Sequence, residues 1–283
     1  DIKGYSTRGG SSLTSTKKAK ENAIFVDKLQ SQGVILLGKT HMTELAFSGL
    51  GLNPTTATPP NPFNKKLVSG GSSSGSAIAV ACGLASFALG TDTAGSGRVP
   101  AAFNEIVGFK PTRGLISCRG VVPACKSIDC LSIFTNNVSD AAMVANICAI
   151  FDASDTYARR NQYNNDFKSV GAYTGKLRLG FIDPDWVTSR GSSSYAAAYR
   201  DSLRQLEKSG IELFEFDFDV LYRIGQELYN GPWVAERSLA FGDFLDRGHK
   251  DIIPVTNQII KTGQSKTAEE FFSAQYRVKN PKK

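Results

Sequence analysis

Ser72, Ser73 and Ser74 follow two glycines, and Ser96 stands between Gly95 and Gly97, in the stretch GGSSSGSAIAVACGLASFALGTDTAGSGR from Gly70 to Arg98. Glycine and serine together usually read as a flexible linker. Here the serines lead straight into AIAVACGLASFAL, which is apolar enough to be buried, so the loop is expected to be packed. A packed loop that displays serines suggests nucleophilic chemistry. A serine hydroxyl attacks poorly until a base removes its proton. The glycines beside Ser96 let the backbone turn tightly and aim successive N–H groups at one point, where they can hold the oxyanion of a tetrahedral intermediate. His41 and His249 are the only histidines, too few for a convincing Ser–His relay. A second serine and a lysine form the available alternative.

A second motif fails on physical grounds. GVILLGKT, from Gly33 to Thr40, satisfies the GxxxxGK[ST] phosphate-loop pattern. A phosphate cradle needs its middle residues in a loop with N–H groups turned inward. Val34 to Leu37 are strand formers, and a helix end rather than a strand precedes them, so nucleotide binding is rejected. The net charge of +7 among 283 residues could attract an anion, but the basic residues are scattered without interleaved aromatics. That predicts a solvated basic surface and no nucleic-acid partner. The five cysteines, Cys82, Cys118, Cys125, Cys130 and Cys148, have no CxxC spacing and no histidine cluster. They are expected to be reduced thiols of a cytoplasmic protein rather than disulfides or metal ligands. No apolar run could span a bilayer, and DIKGYSTRGG has no signal-peptide pattern.

The elements that must position these residues alternate. Thr16–Gln32 reads as an amphipathic helix, capped by Ser15 or Thr16 and stopped by Gly33. VILLG reads as a short buried strand, and Ser74–Leu89 as a central apolar helix. Ser139 is placed as the cap of the helix SDAAMVANICAIF, and NQYNN (161–165) as an exposed connection. LRLGFI, SSSYAAAYRDSLRQLEKSG and IELFEFDF read strand–helix–strand, which favours parallel pairing. Tyr222–Arg277 reads as mostly helical. The whole suggests an α/β chain with helices on both faces of a sheet.

GGSSSGSAIAVACGLASFALGTDTAGSGRVPAAFNEIVGFKPTRG resembles the amidase signature family along its whole length. The resemblance implies a layered α/β/α fold with a mixed central sheet. Residues 1–283 would be one partial domain, incomplete at both ends, with its signature core at about 66–135. It makes Ser96 the nucleophile and Ser72, joined through a cis peptide to Gly71, a relay aimed between the base and Ser96. Thr93, Ala94 and Gly95 would supply the oxyanion N–H groups, while Ser73 and Ser74 stabilise the loop. Asp92 and Arg98 either brace that loop or stand as two solvated charges. The family's lysine belongs to a segment upstream of Asp1; Lys3 and Lys39 do not match its position.

RGLISCRGVVPACKSIDCLSIF and GPWVAER resemble the allophanate hydrolases within this family, although LAFSGLGLNPTTATPPNP is closer to general amidases. The implied substrate is the small anion allophanate, hydrolysed without metal or organic cofactor. Arg237 would grip its carboxylate in two-pronged fashion, helped by Tyr229, eight residues earlier and on the same face if the stretch is helical. The alternative for Arg237 is a surface salt bridge with Glu236 or Asp243. The resemblance also implies a homodimer or fusion to a biotin-dependent urea carboxylase, with no membrane partner. Two other readings remain open: a glutamine-hydrolysing amidotransferase component, and an inactive scaffold.

Overall fold

A computed structural model describes residues 1–12, 14, 16–162, 167, 175–246 and 252–280. In chain order, α1 (Ile24–Ser31), α2 (Ser74–Ala81), β1 (Phe87–Thr91), α3 (Arg98–Phe103), β2 (Val107–Phe109), β3 (Leu131–Thr135) and α4 (Val138–Cys148) come first. Then follow β4 (Arg178–Phe181), α5 (Pro184–Arg190), α6 (Ser193–Lys208), β5 (Glu212–Glu215), α7 (Asp219–Glu227), α8 (Val234–Asp246), α9 (Pro254–Gln264) and α10 (Ala268–Lys279). The chain divides into two compact units. One is Asp1–Val170 with Pro232–Thr267, and the other is Gly171–Gly231 with Ala268–Lys283.

The first unit is built on an antiparallel sheet in the order β1-β3-β2, with Leu89 opposite Ile133 and Gly108 opposite Phe134. Successive strand residues point to opposite faces, and β3 shows the consequence. Leu131 and Ile133 meet Phe25, Val26 and Leu29 of α1 and Val144, Ala145 and Cys148 of α4. Phe134, one residue on, meets Ala77 and Val80 of α2 and Ala101 of α3. Helices therefore cover both faces, the α/β/α layering expected. β3 is buried along its whole length, as a central strand between two helical layers must be.

The second unit carries the expected strand–helix–strand element. β4 and β5 pair in parallel, Arg178 opposite Glu212, with α5 and α6 between them in sequence. Trp186 anchors it, edge-on to Phe218 and Tyr222 and donating its indole N–H to Asp219 at 2.7 Å. Parallel and antiparallel pairing thus occur in separate sheets among the described residues. The described residues between Tyr222 and Arg277 are mostly helical, as expected.

Several boundaries differ from the sequence reading. The first helix begins only at Ile24, after Ala23; Ser15 lies outside the described residues. TKKAKE has no apolar face to bury, and Lys18 and Ala19 instead form bridges with Ser6 and Lys3. Gly33, at φ +84°, does end the helix. VILLG is not a buried strand: Ile35 is 81% and Leu37 73% exposed, and no strand pairs with it among the described residues. The apolar helix from Ser74 stops at Ala81, because Gly83 adopts φ +68° and turns the chain into β1. Leu89 therefore belongs to a strand. Asn137 rather than Ser139 caps α4, its Oδ1 accepting the Asp140 N–H at 2.8 Å. The expected 161–165 connection lies partly outside the described residues. No helix among the described residues is long and apolar enough to cross a membrane.

Candidate active site

The serine loop, Asp92–Arg98, leaves the end of β1 and turns into α3, so a sheet edge and a helix hold its two ends. Its interior is organised by one carboxylate. Asp92 is buried, and its Oδ1 accepts the Gly95 N–H at 2.7 Å while Oδ2 accepts the N–H groups of Gly97 and Arg98 at 3.1 and 3.2 Å. The Arg98 guanidinium closes the arrangement with two more bonds, Nε to Oδ2 at 2.9 Å and Nη2 to Oδ1 at 3.0 Å. Asp92 and Arg98 thus brace the loop rather than stand apart in solvent. Burial alone raises the Asp92 carboxyl, but Arg98 and the Gly95 and Gly97 amides outweigh it and hold the group below its ordinary range. Gly97 is required by space as well: a Cβ there would collide with Ser132 Cβ on β3.

Ser96 sits half-buried at the tip of this loop. The other serine segment comes against it, with the Ser73 N–H directed at Ser96 O over 3.4 Å. The Gly71–Ser72 peptide is cis. Ser72 is fully buried and its carbonyl accepts the Thr43 N–H at 2.8 Å, yet its hydroxyl makes no hydrogen bond among the described residues. No hydrogen bond joins the Ser72 hydroxyl to that of Ser96. Ser73 does tie the loop, exchanging bonds with Thr91 N and O at 3.2 and 3.3 Å. Ser74 does not; its buried hydroxyl is unpartnered among the described residues.

The oxyanion set needs one correction. The Gly95 N–H is directed at Asp92, and a donor committed to a buried carboxylate is not available to an oxyanion. Thr93 and Ala94 remain as proposed donors. The Thr93 hydroxyl donates to Asp129 Oδ1 at 2.5 Å. Asp129, buried, also takes the Ala124 and Cys125 N–H groups on Oδ2 at 2.9 and 3.2 Å. Burial pushes the Asp129 carboxyl above its ordinary range, against the pull of Thr93 and the two amides. Lys39 is no base for these serines: its ammonium donates to Ser6 O at 2.8 Å and Thr7 Oγ1 at 2.7 Å.

Arg237 is on α8 and only 2% exposed, its guanidinium 5.0 Å from the centre of the Phe47 ring. Arg237 is thus buried rather than at the surface, and the side chain of Asp243, one of its two expected salt-bridge partners, lies outside the described residues. Its neighbour Glu236 turns instead to Ser127, accepting the N–H at 2.7 Å and the hydroxyl at 2.5 Å, and to the Cys125 thiol at 3.0 Å. Tyr229 belongs to the other unit, half exposed on the turn that follows α7. Leu228 caps α7 and α8 starts at Val234, so Tyr229 and Arg237 do not share one face of a continuous helix. A cleft of about 310 Å³ has Asp129 in its wall with Arg113, Arg119 and Lys126, and neither Ser72 nor Ser96 lines it. Among the described residues no three His, Cys, Asp or Glu side chains converge as a metal-ligand set.

Sequence reasoning missed Glu44, Asp129 and Glu236. Glu44 is fully buried and joins remote segments, accepting Ser11 Oγ–H at 2.9 Å and the Ile253 N–H at 3.0 Å. No local pattern marks these acids, since their partners are brought to them only by the fold.

A braced serine loop between a strand and a helix, with a second serine segment against it, defines the class, and the comparisons agree. The family model described as Amidase matches residues 1–281, and the chain belongs to that family. It is 36% identical to the urea amidolyase of Saccharomyces cerevisiae over 279 residues, 98% of this chain and 15% of that protein. A glutamyl-tRNA(Gln) amidotransferase component from Mycoplasma genitalium is 34% identical over 226 residues, 79% of this chain and 47% of that protein. Kluyveromyces lactis allophanate hydrolase superposes with a TM-score of 0.91 at 35% identity, over 99% of this chain and 45% of that one. The chain therefore spans less than half the length of these relatives.

Proposed function

We propose that this chain carries the catalytic serine of an amidohydrolase acting on a small anionic amide, allophanate first. The observation that carries the reading is the Asp92-braced loop that presents Ser96 beside the Ser72–Ser73 segment. Support for allophanate comes from the likeness to Kluyveromyces lactis allophanate hydrolase and to urea amidolyases. Ser96 Oγ attacks the amide carbonyl, and its proton passes by way of Ser72 to a lysine that the family resemblance places outside these residues. N–H groups of Thr93 and Ala94 face the oxyanion. The C–N bond breaks, ammonia leaves with the relayed proton, and water then releases the acyl group from Ser96. Arg237 holds the substrate carboxylate. The protein is cytoplasmic and fused to a urea carboxylase, as the family resemblance implies; the match to only 15% of the Saccharomyces cerevisiae urea amidolyase supports a longer chain.

The test is labelling with a serine-directed fluorophosphonate, followed by peptide mass mapping, in the full chain that carries these residues. Ser96 should be modified, Ser96→Ala should not react, and allophanate should protect. Protection by glutamine instead, dependent on a partner protein, would favour an amidotransferase, a reading supported by the Mycoplasma relative. No labelling at Ser96 would leave the inactive scaffold.

A further inference from the structure

We infer that Asp129 and Glu236 are positioning residues that join the serine loop to the helix carrying Arg237, an inference that rests on the roles proposed above for Ser96 and Arg237. The link is a chain of hydrogen bonds between segments far apart in sequence. Thr93, three residues before Ser96, donates its hydroxyl to Asp129 Oδ1 at 2.5 Å. The same carboxylate holds the Ala124 N–H at 2.9 Å and the Cys125 N–H at 3.0 and 3.2 Å. On the other side of this short segment, Glu236 grips Ser127 through both N–H and hydroxyl, and Cys125 through its thiol. Residues 124–127 are thus clamped between two carboxylates. One belongs to the frame of the serine loop. The other immediately precedes Arg237 on α8.

The chemistry of the clamp explains why acids are used. Neither carboxylate forms an ion pair with a lysine or arginine among the described residues. Their partners are backbone amides, hydroxyls and one thiol, all of which need acceptors. An ionised carboxylate is acceptor-only, so every contact is complementary. An amide side chain would turn an N–H₂ group toward at least one of these donors. Asp129 therefore sets the orientation of Thr93, whose N–H is a proposed oxyanion donor, and Glu236 sets where α8 presents Arg237. One frame holds both the point of attack and the grip on the substrate's charge.

Steady-state kinetics of the full chain, on allophanate and on a neutral amide of similar size, separate the two arms. Thr93→Val should lower kcat about ten- to hundredfold on both substrates, the loss of one hydrogen bond to a charged group, with KM little moved. Thr93→Ser, which keeps the hydroxyl, should recover most of that loss. Asp129→Asn should resemble Thr93→Val, and the double variant should be no worse than either, since both break the same link. Glu236→Gln should raise KM for allophanate by about tenfold more than for the neutral amide, because it shifts Arg237 and only a charged substrate uses it. If Asp129→Asn does not fold, the Thr93→Val and Thr93→Ser pair decides alone. Additive losses, failure of Thr93→Ser to recover, or equal effects of Glu236→Gln on both substrates would overturn the inference while Ser96 still labels. Absence of Ser96 labelling in the unsubstituted chain would overturn the catalytic reading and this inference with it.

Discussion

Asp92→Asn is the sharpest perturbation of the serine loop, because it changes almost no volume and reverses the polarity of one atom. Asp92 accepts five hydrogen bonds, three from backbone amides and two from Arg98. In the asparagine variant one oxygen can still serve Gly95. The new N–H₂ group must then face the Gly97 and Arg98 amides and Arg98 Nε, three donors against a donor. The Arg98 side chain is 56% exposed while that of Asp92 is 0%. Water therefore screens the ion pair itself, which contributes no more than about 1 kcal/mol. The larger part of the loss lies in the buried amides, where bonds to a charged acceptor are each worth roughly 1.5–3 kcal/mol. Because the three donors share one oxygen, their losses do not add, and about 3 kcal/mol is expected.

That magnitude sets an order for two variants. Asp92→Asn should lower the melting temperature by about 6–12 °C, and Arg98→Ala by only about 2–4 °C, using roughly 2–4 °C per kcal/mol for a chain of this size. Thermal unfolding followed by circular dichroism reads both. Acid gives a second check, with a definite sign. The folded-state Asp92 carboxyl lies below its ordinary range, so its stabilisation is present above about pH 4 and is lost as pH falls through the folded-state value. The unsubstituted chain should therefore lose stability below about pH 4 more steeply than Asp92→Asn. If Arg98→Ala proved as damaging as Asp92→Asn, the ion pair rather than the amide cradle would be the brace, and the reasoning would fail.

Arg237→Ala should cut kcat/KM for allophanate by a factor corresponding to about 2–5 kcal/mol while sparing a neutral amide, with Arg237→Lys recovering part; equal losses on both substrates would return Arg237 to a structural role. Gly97→Ala should destabilise by about 1–3 kcal/mol through overpacking, since its Cβ would collide with Ser132 Cβ. Adding Ser132→Gly should restore much of that melting temperature if the clash is the cause. Thiol titration at pH 8 should modify Cys82 quickly and the other four only after unfolding. Cys82 is exposed, whereas burial pushes Cys118 and Cys148 up to about 12 and raises Cys125 and Cys130.

What the sequence shows and hides follows from the range over which each signal acts. The strand–helix–strand run from Arg178 to Glu215 was legible because each segment carries its own periodicity and its partners are near in sequence. The Ser74 helix was legible at its start and not at its end, since continuous apolarity is shared by a buried helix and a buried strand. Only the left-handed Gly83 and the pairing of β1 with β3 separate the two. VILLG failed for the converse reason: strand-forming residues make a strand only where another strand pairs with them. The Tyr229–Arg237 spacing assumed a continuous helix, and the break between α7 and α8 removes that geometry.

The serine loop teaches the same lesson at the scale of chemistry. Ser96 could be singled out from residue type and glycine spacing, whereas Ser72 came only from the family resemblance. Of the groups that hold them, the Asp92–Arg98 brace was one of two readings, and the rest could not be picked. Asp92 reads as one acid beside a TAGSGR motif, yet it takes the Gly95 amide that the motif itself suggests for an oxyanion. Asp129 and Glu236 carry no local mark of their work, since they meet donors 36 and 109 residues away. An acid's work in a fold depends on which donors are brought to it, and for these three they are amides and hydroxyls wanting an acceptor. Charge in this unit serves geometry before it serves catalysis, which is why isosteric amides, rather than alanines, are the substitutions that expose it.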